Sequence, residues 1–322
     1  MQGTVVTLLG KACTVRADGE RYLCYLRGRL FETPGTQIAV GDRVEFDPVE
    51  ETYVPTDAPE RDPDVEGLGV IHNLLPRRTA LTRPGSRRGA AAQVIAANVE
   101  QIVVVSALKD PPLRIGLIDR YLVIAHRAAV APALCLNKID LGMPAERESA
   151  WAELAPYRAL GLPVVVTSAV TGEGMDSLAG VLGGKRSVLV GHSGVGKSKL
   201  ASRIQPGLVL ASSQVSRKGK GRHTTAAAHL FALDIGGELV DTPGVRELGV
   251  SDVAREELDQ HFLDFGPYLG HCRFKSCSHL PEPGCAVKEA VEAHRIHRAR
   301  YDSYSHLYHE LKTERELRRT SG

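Results

Sequence analysis

Three things are scarce or missing in this chain, and each narrows what it can be. No apolar run is long enough to span a bilayer, and the first residues (Met1-Gln2-Gly3-Thr4) carry no basic stretch ahead of an apolar one. Membrane insertion and secretion are therefore not expected, and the cytoplasm is the expected compartment. Net charge is nearly absent, +2 over 322 residues, so bulk electrostatics gives no reason to invoke nucleic acid and only local basic segments can. Cysteine is sparse, with six in all. Without a secretion signal a disulfide framework is not expected. Cys13, Cys24 and Cys135 sit among apolar residues and read as small core fillers. Cys272, Cys277 and Cys285 cluster and point to metal.

What is present suffices for two or three domains. Short strand-like runs occupy residues 3–9, 12–16, 22–26, 37–40 and 43–46, separated by Gly or Asp-Gly turns, and residues 71–75 could return as a last strand. This pattern predicts a small β-barrel. Residues 45–66 hold nine Asp and Glu against the single Arg61, together with four prolines, and read as a solvated loop. From about residue 98 to 245 strands and helices alternate. Strands are predicted at 101–106, 133–136, 163–167, 187–190, 230–234 and 238–240, and helices at 117–128, 145–160 and 197–204. Such alternation predicts an α/β domain with a mainly parallel sheet. After residue 250 strand patterns vanish, and residues 251–264, 287–297 and 300–319 read as helical.

The chemistry lies in a few motifs. Gly191-His192-Ser193-Gly194-Val195-Gly196-Lys197-Ser198 follows a predicted strand and opens a predicted helix, the setting of a phosphate-binding loop. Its glycines let backbone N–H groups converge on phosphate oxygens at a helix N-terminus. Lys197 should reach the β- and γ-phosphates and Ser198 should hold Mg²⁺, with Lys199 beside them. Asn137-Lys138-Ile139-Asp140 ends another predicted strand. Asp140 can accept from guanine N1–H and the 2-amino group, two donors that adenine lacks, so it would select guanine. Lys138 would lie along the base and ribose, and Asn137 would tie this loop to the phosphate loop. Ser168 and Ala169 end the next strand, where the Ala169 N–H could donate to guanine O6.

Asp241-Thr242-Pro243-Gly244 follows the strand at 238–240. Asp241 can reach Mg²⁺ through water, and the Gly244 N–H can meet the γ-phosphate. The basic, Gly-rich stretch 216–225 ends in Thr224 and Thr225, one of which should complete the Mg²⁺ shell. Where Ras-like enzymes place a water-orienting glutamine after the glycine, this chain has Val245, which cannot polarise water. His223 is the candidate to replace it; the alternative is a histidine that only contacts phosphate or RNA. Lys197, Gly244 and His223 are thus the expected catalytic groups.

Cys272-x4-Cys277-x-His279-x5-Cys285 supplies three thiolates and one imidazole, a donor set for one tetrahedral, structural Zn²⁺. The surrounding segment has little apolar periodicity, so the metal should supply much of its folding energy. His261, His271, His294, His297, His306 and His309 read as surface residues. Three local basic groups stand out: Arg77, Arg78, Arg83, Arg87 and Arg88; Arg217, Lys218, Lys220 and Arg222; and Arg295, Arg298 and Arg300. Beside a barrel and a zinc module they suggest contacts to an RNA backbone.

The base-reading motif precedes the phosphate loop, the reverse of an ordinary guanine-nucleotide switch, so the domain's chain has been re-cut. Together with the barrel and the Cys/Cys/His/Cys module, this order resembles the RsgA family of circularly permuted small ribosomal subunit biogenesis GTPases. The resemblance covers nearly the whole chain. It includes Val40-Gly41-Asp42-Arg43-Val44, Leu75-Pro76-Arg77-Arg78, Gly116-Leu117-Ile118-Asp119-Arg120-Tyr121-Leu122, Gly221-Arg222-His223-Thr224-Thr225 and Cys272-Arg273-Phe274. It implies an OB-fold barrel at 1–76, a permuted GTPase domain at 77–250 and a zinc-binding helical domain at 251–322. It further implies a monomer that binds GTP and GDP, and hydrolysis stimulated by the small subunit and its rRNA late in subunit maturation. The alternative is a nucleotide-gated RNA-binding scaffold whose hydrolysis is incidental. Ala226 departs from the family's usual third threonine, and Gly194 from the asparagine of some potassium-activated relatives. The re-cut order also attaches the C-terminal domain a few residues after the γ-phosphate sensor, so nucleotide state is expected to reach residues 251–322.

Overall fold

The computed structural model describes residues 1–10, 12–26, 37–50, 64–85, 92–208, 210, 228–242, 248–250 and 253–320, with side chains as far as Thr313. The chain forms two compact units: residues 1–101, 182–189 and 198–248 in the first, and 102–181, 190–197 and 249–322 in the second.

The first unit contains the barrel. Strands β1 (Gln2–Leu9), β2 (Ala12–Ala17), β3 (Glu20–Leu26), β4 (Arg43–Val49) and β5 (Gly67–Leu74) pair in the order β1-β2-β3-β5-β4, and β4 closes on β1. All neighbours are antiparallel except β3 and β5. Val5, Cys13, Val15, Cys24, Val44, Phe46 and Ile71 point inward and form the core, as a period of two requires of a half-buried strand. Gly69 is needed there because a Cβ would lie 2.6 Å from the Phe46 ring. Burial, with Asp42 adding to it, pushes the Cys13 thiol up to about 12. Burial does the same to Cys135, offset in part by Thr167. Both therefore stay protonated fillers.

The strand expected at residues 37–40 is instead a loop with one bridge from Val40 to Ala96. The cause is Asp42, fully buried, whose carboxylate takes the Ala39 N–H at 2.7 Å and the Arg77 guanidinium at 2.7 and 2.8 Å. Gly41 turns the chain at φ +91°, where a Cβ would meet the Ala97 carbonyl at 2.2 Å. Its own carbonyl accepts from Asn98 Nδ2 at 2.9 Å and Arg186 Nη1 at 2.8 Å. Strands β6 (Ala80–Arg83) and β7 (Gln93–Ala97) form a separate hairpin. Further along, β11 (Arg186–Val190) pairs in parallel with β13 (Glu238–Asp241), and β12 (His229–Ala232) pairs antiparallel with β13 and β1.

In the second unit β8 (Gln101–Ala107), β9 (Ala131–Asn137) and β10 (Val164–Val166) lie side by side, β9 and β10 in parallel. β8 is buried along its whole length. Helix α1 (Ile115–Arg127) connects β8 to β9. The helix expected at 145–160 is divided into α2 (Pro144–Glu153) and α3 (Ala155–Ala159). Pro156 has no N–H for the carbonyl of Ala152, so the ladder cannot run through. Helix α4 (Met175–Leu182) precedes the Gly183-Gly184 turn into β11, and α5 (Lys197–Ile204) follows the phosphate-loop sequence. Among the described residues after 250 there is no strand. Where residues 251–264 are expected to be α-helical, the described residues form the 3-10 turn Arg255–His261 and the start of a second, Leu263–Tyr268, before α6 (Ala286–Glu292) and α7 (Arg298–Thr320). Among the described residues no helix is long and apolar enough to cross a membrane.

Candidate nucleotide site and metal cluster

The phosphate-loop sequence turns sharply because three glycines adopt backbone angles that side chains resist. Gly191, Gly194 and Gly196 have φ of 137°, 84° and 100°. A Cβ on Gly191 would sit 2.1 Å from the Val105 carbonyl, and one on Gly196 would sit 2.3 Å from Asn137 Nδ2. The loop is therefore pressed against β8 and against the base-reading motif. Lys197 Nζ donates to the carbonyls of Gly191 and His192 at 2.7 and 2.9 Å, which fixes the ammonium over the loop. His192, Ser193 and Gly194 are exposed at its tip, whereas Val195 is buried beneath it. Ser198 and Lys199 follow in the first turn of α5.

Asn137 is buried and joins three segments. Its Nδ2 donates to the Val195 carbonyl at 2.9 Å, and its Oδ1 accepts from Thr167 Oγ1 and from the Ala169 N–H, each at 3.2 Å. The tie expected between base-reading motif and phosphate loop is present. The Ala169 N–H, expected to face a base oxygen, donates instead to this amide oxygen. Asp140 Oδ1 accepts from Ser168 Oγ at 2.6 Å, which fixes the carboxylate. Lys138 holds a left-handed backbone at φ 61°, uncommon for lysine, and its Nζ donates to the Asp110 carbonyl. The Lys138 stem is thus laid out along the chain after β8.

Asp241 and Thr242 are buried at the end of β13, within the first unit. His223, Thr224, Thr225, Gly244 and Val245 lie outside the described residues. So do Arg87, Arg88, Arg217, Lys218, Lys220 and Arg222.

Two of the arginines read as RNA-facing are instead structural. Arg77 is held by the buried Asp42. Arg300 is only 2% exposed and pairs with Asp119 and Asp264. A charge run in sequence does not reveal a buried acid elsewhere, and burying either arginine without one would be prohibitive. Of the others, Arg78, Arg295 and Arg298 are exposed, and so is Arg273 within the Cys/His segment. Phe274 is also 45% exposed, between Arg273 and Lys275. Of the six histidines read as surface residues, His261 departs: it is half-buried and hydrogen-bonded to His126 at 2.9 Å.

The Cys/His cluster assembles as expected. The donor atoms of Cys272, Cys277, His279 and Cys285 all lie within 4.8 Å of one another. Cys272 Sγ is 3.8 Å from Cys285 Sγ and 3.5 Å from His279 Nδ1, which is 3.3 Å from Cys285 Sγ. A tetrahedron with metal–ligand bonds of about 2.0–2.3 Å has edges of about 3.3–3.8 Å, so the donors fit a metal ion. Two supporting residues escaped the sequence reading. Asp259 Oδ2 lies 3.2 Å from His279 Nε2, which leaves Nδ1 for the metal. Glu282 takes hydrogen bonds from Ser278 N, Ser278 Oγ and Leu280 N. Burial opposes its charge, yet these bonds hold its carboxyl down to about 2, and they brace the loop between Cys277 and Cys285.

The family model described as RsgA GTPase matches residues 74–251, more than half of the chain. This chain belongs to the RsgA GTPase family. Two curated proteins, each named small ribosomal subunit biogenesis GTPase RsgA, extend the match. That of Pseudomonas aeruginosa is 40% identical over 307 residues, covering 95% of this chain and 84% of the relative. That of Thermotoga petrophila is 40% identical over 318 residues, covering 98% of each. Among solved structures, YjeQ from Thermotoga maritima superposes with a TM-score of 0.78 at 37% identity, covering 96% of this chain and 98% of that one. YloQ, titled a circularly permuted GTPase, gives 0.71 at 28% identity, covering 97% and 95%. The RsgA fold explains the reversed motif order: a permuted GTPase domain stands between an OB-type barrel and a helical domain carrying the Cys/His cluster. As a member of this family the chain is a GTP-hydrolysing enzyme.

Proposed function

We propose that this chain hydrolyses GTP to GDP and phosphate in the late maturation of the small ribosomal subunit, and that the subunit stimulates the reaction. The nucleotide half of this reading is carried by Asn137, whose one amide binds the phosphate loop, the Thr167–Ala169 strand end and its own motif together. The subunit half is supported by the relatives' shared name over nearly the full chain.

Asp140, fixed by Ser168, reads the guanine edge. The N–H groups of residues 191–198 cradle the phosphates, and Lys197 moves from its loop carbonyls to the phosphate oxygens. Bound Mg²⁺, held by Ser198, by Thr224 or Thr225, and by Asp241 through water, would neutralise phosphate charge. The Gly244 N–H meets the γ-phosphate. His223 orients the attacking water in place of the absent glutamine. One Zn²⁺ held by Cys272, Cys277, His279 and Cys285 has a structural role, since four protein ligands leave no open position. The GTPase domain takes residues 77–250, close to the family match at 74–251, with the barrel at 1–76 and the zinc domain at 251–322. Exposed Arg273, Lys275 and Arg295 on the zinc domain suit an rRNA backbone, and a soluble factor of this kind works in the cytoplasm.

The deciding experiment is turnover of GTP and of ATP with and without purified small subunits. Multiple-turnover GTP hydrolysis accelerated by subunits, and not by free RNA, is the expected result. Equal use of ATP would overturn the base-reading assignment, and indifference to subunits would overturn the biogenesis role.

A further inference from the structure

Three loops meet at the base-reading motif: residues 108–114 follow β8, residues 138–143 follow β9, and residues 167–174 follow β10. The Leu108 N–H donates to the Asn137 carbonyl at 2.9 Å, and the Ile139 N–H to the Thr167 carbonyl at 3.3 Å, so the middle loop is flanked by the other two. Residues 141–143 carry the motif on into α2, and the start of that helix holds them in turn.

Glu146 and Arg147 are neighbours at the start of α2 and reach different loops. Glu146 Oε2 accepts from the Met143 N–H at 2.8 Å, the reach of a glutamate at the third helical position back to the residue before the helix. The same oxygen takes the Lys109 ammonium at 2.6 Å, from the loop after β8. Arg147 Nε donates to the Gly142 carbonyl at 3.2 Å, and its Nη1 lies 3.5 Å from Glu173 Oε2, in the loop after β10. Glu173 is tied in turn to Ser168, whose N–H donates to the Glu173 carbonyl at 2.9 Å and whose Oγ fixes Asp140.

The Gly142 carbonyl and the Met143 N–H are the two polar ends of one peptide group. Adjacent side chains of α2 therefore grip that group at both ends and tie it to the loop on either side. The peptide has little room to move, since a Cβ on Gly142 would lie 2.1 Å from Leu108 Cδ2. Both ion pairs are open to water, with side chains 39–52% exposed, so they add little to overall stability. Their effect is on placement. Asp140 stands two residues before the gripped peptide, and a carboxylate that must meet two guanine donors tolerates little displacement, because hydrogen bonds weaken steeply off line.

We propose that Glu146 and Arg147 are positioning residues for guanine recognition: they clamp the peptide between Gly142 and Met143 to the loops after β8 and β10, and so hold the Asp140 carboxylate in line with the base. This role rests on Asp140 reading the guanine edge, and it puts the precision of that reading in two side chains outside the motif.

Inosine diphosphate separates positioning from plain stability. It keeps the N1–H of guanine and lacks the 2-amino group, so the ratio of its Kd to that of GDP reports how well Asp140 meets the second donor. Both Kd values are to be measured by titration calorimetry, with Mg²⁺, on the full chain. The parent protein should prefer GDP about tenfold to a hundredfold, the worth of one hydrogen bond to a charged group. In Glu146→Ala with Arg147→Ala the preference should shrink at least about threefold, as misaligned hydrogen bonds weaken. Glu146→Gln, whose amide oxygen still accepts from Met143, should stay within about twofold of the parent. Should the alanine pair fail to fold, Lys109→Met with Glu173→Gln removes the same two ion pairs from their far ends, leaves α2 intact, and should narrow the preference about twofold. An unchanged ratio in the folded variants would overturn the role, including the case where both affinities fall together, which would mark Glu146 and Arg147 as merely structural. A loss in Glu146→Gln as large as in Glu146→Ala would overturn it too. Equal affinity of the parent protein for GDP and inosine diphosphate would instead sink the base-reading assignment itself, and this role with it.

Discussion

Asn137 and Val195 are 58 positions apart in sequence and joined by a hydrogen bond of 2.9 Å from the amide of one to the carbonyl of the other. The bond ties the loop that ends in Asp140 to the phosphate-loop sequence, so that under the proposed function base recognition and phosphate binding would be mechanically one event.

Base selectivity is the first consequence to measure. Asp140→Asn removes a charged acceptor for two guanine donors and should weaken GDP binding about a hundredfold, as expected for two hydrogen bonds to a charged group. The same change places a donor opposite the C2 oxygen of xanthine, so xanthosine diphosphate should bind better to the variant than to the parent. Titration with fluorescent guanosine and xanthosine diphosphates checks both. Unchanged GDP affinity would show that Asp140 does not meet the base.

The catalytic assignment of His223 is tested by His223→Ala and His223→Gln. Alanine should lower kcat with small subunits about a hundredfold, the usual worth of a positioned acid–base group, with KM for GTP nearly unchanged. Glutamine, which can orient water without titrating, should recover part of the rate. Wild-type turnover by the alanine variant, with and without subunits, would exclude the role.

Metal should be inseparable from the fold of the C-terminal domain. The expected content is one zinc per chain by atomic emission, with none retained by Cys285→Ser. A strong chelator should erase exchange protection in residues 272–296 while leaving the barrel strands protected, because β1–β5 have their own apolar core. Retained protection in metal-free protein would make the cluster dispensable.

Acid should weaken the first unit through Glu238. Burial raises the pKa of this carboxyl, but Arg186 at 2.7 Å and then Arg16 outweigh burial and leave it below the usual carboxylate range. A depressed folded-state pKa contributes stability that is present above the ordinary unfolded value, near pH 4, and is lost as pH falls through the folded value. Between pH 6 and pH 3 the urea midpoint should fall further for the parent than for Glu238→Gln. Parallel pH profiles would show that the pair contributes nothing.

The sequence made some of this legible and not the rest, and the division is physical. Gly191, Gly196 and Asn137 were readable because phosphate and base chemistry demand particular residues at particular spacings. The strands around them were readable because buried strands are continuous apolar runs, as β8 is. The 37–40 segment was not, since its alternation looks like a strand and only the distant Arg77 reveals that Asp42 has diverted it. The hairpin β6–β7 has strands of only four and five residues, too short for a period to announce itself. The parallel pairing of β3 with β5 leaves no local mark, because register is settled by partners far along the chain. Arg300 looked like surface charge because Asp119 lies 181 residues earlier.

That separation also sets a clock for the newborn protein. Ribosomes add about 5–20 residues per second, so the carboxylate of Asp119 waits about ten to forty seconds after its own synthesis before Arg300 exists to meet it. The segment matched by the family model, residues 74–251, is made before α7, so Asp119 gains the guanidinium of Arg300 only when α7 leaves the exit tunnel. A truncated or stalled product would leave Asp119 on α1 without its guanidinium partner, a feature by which cellular quality control could tell it from the finished chain.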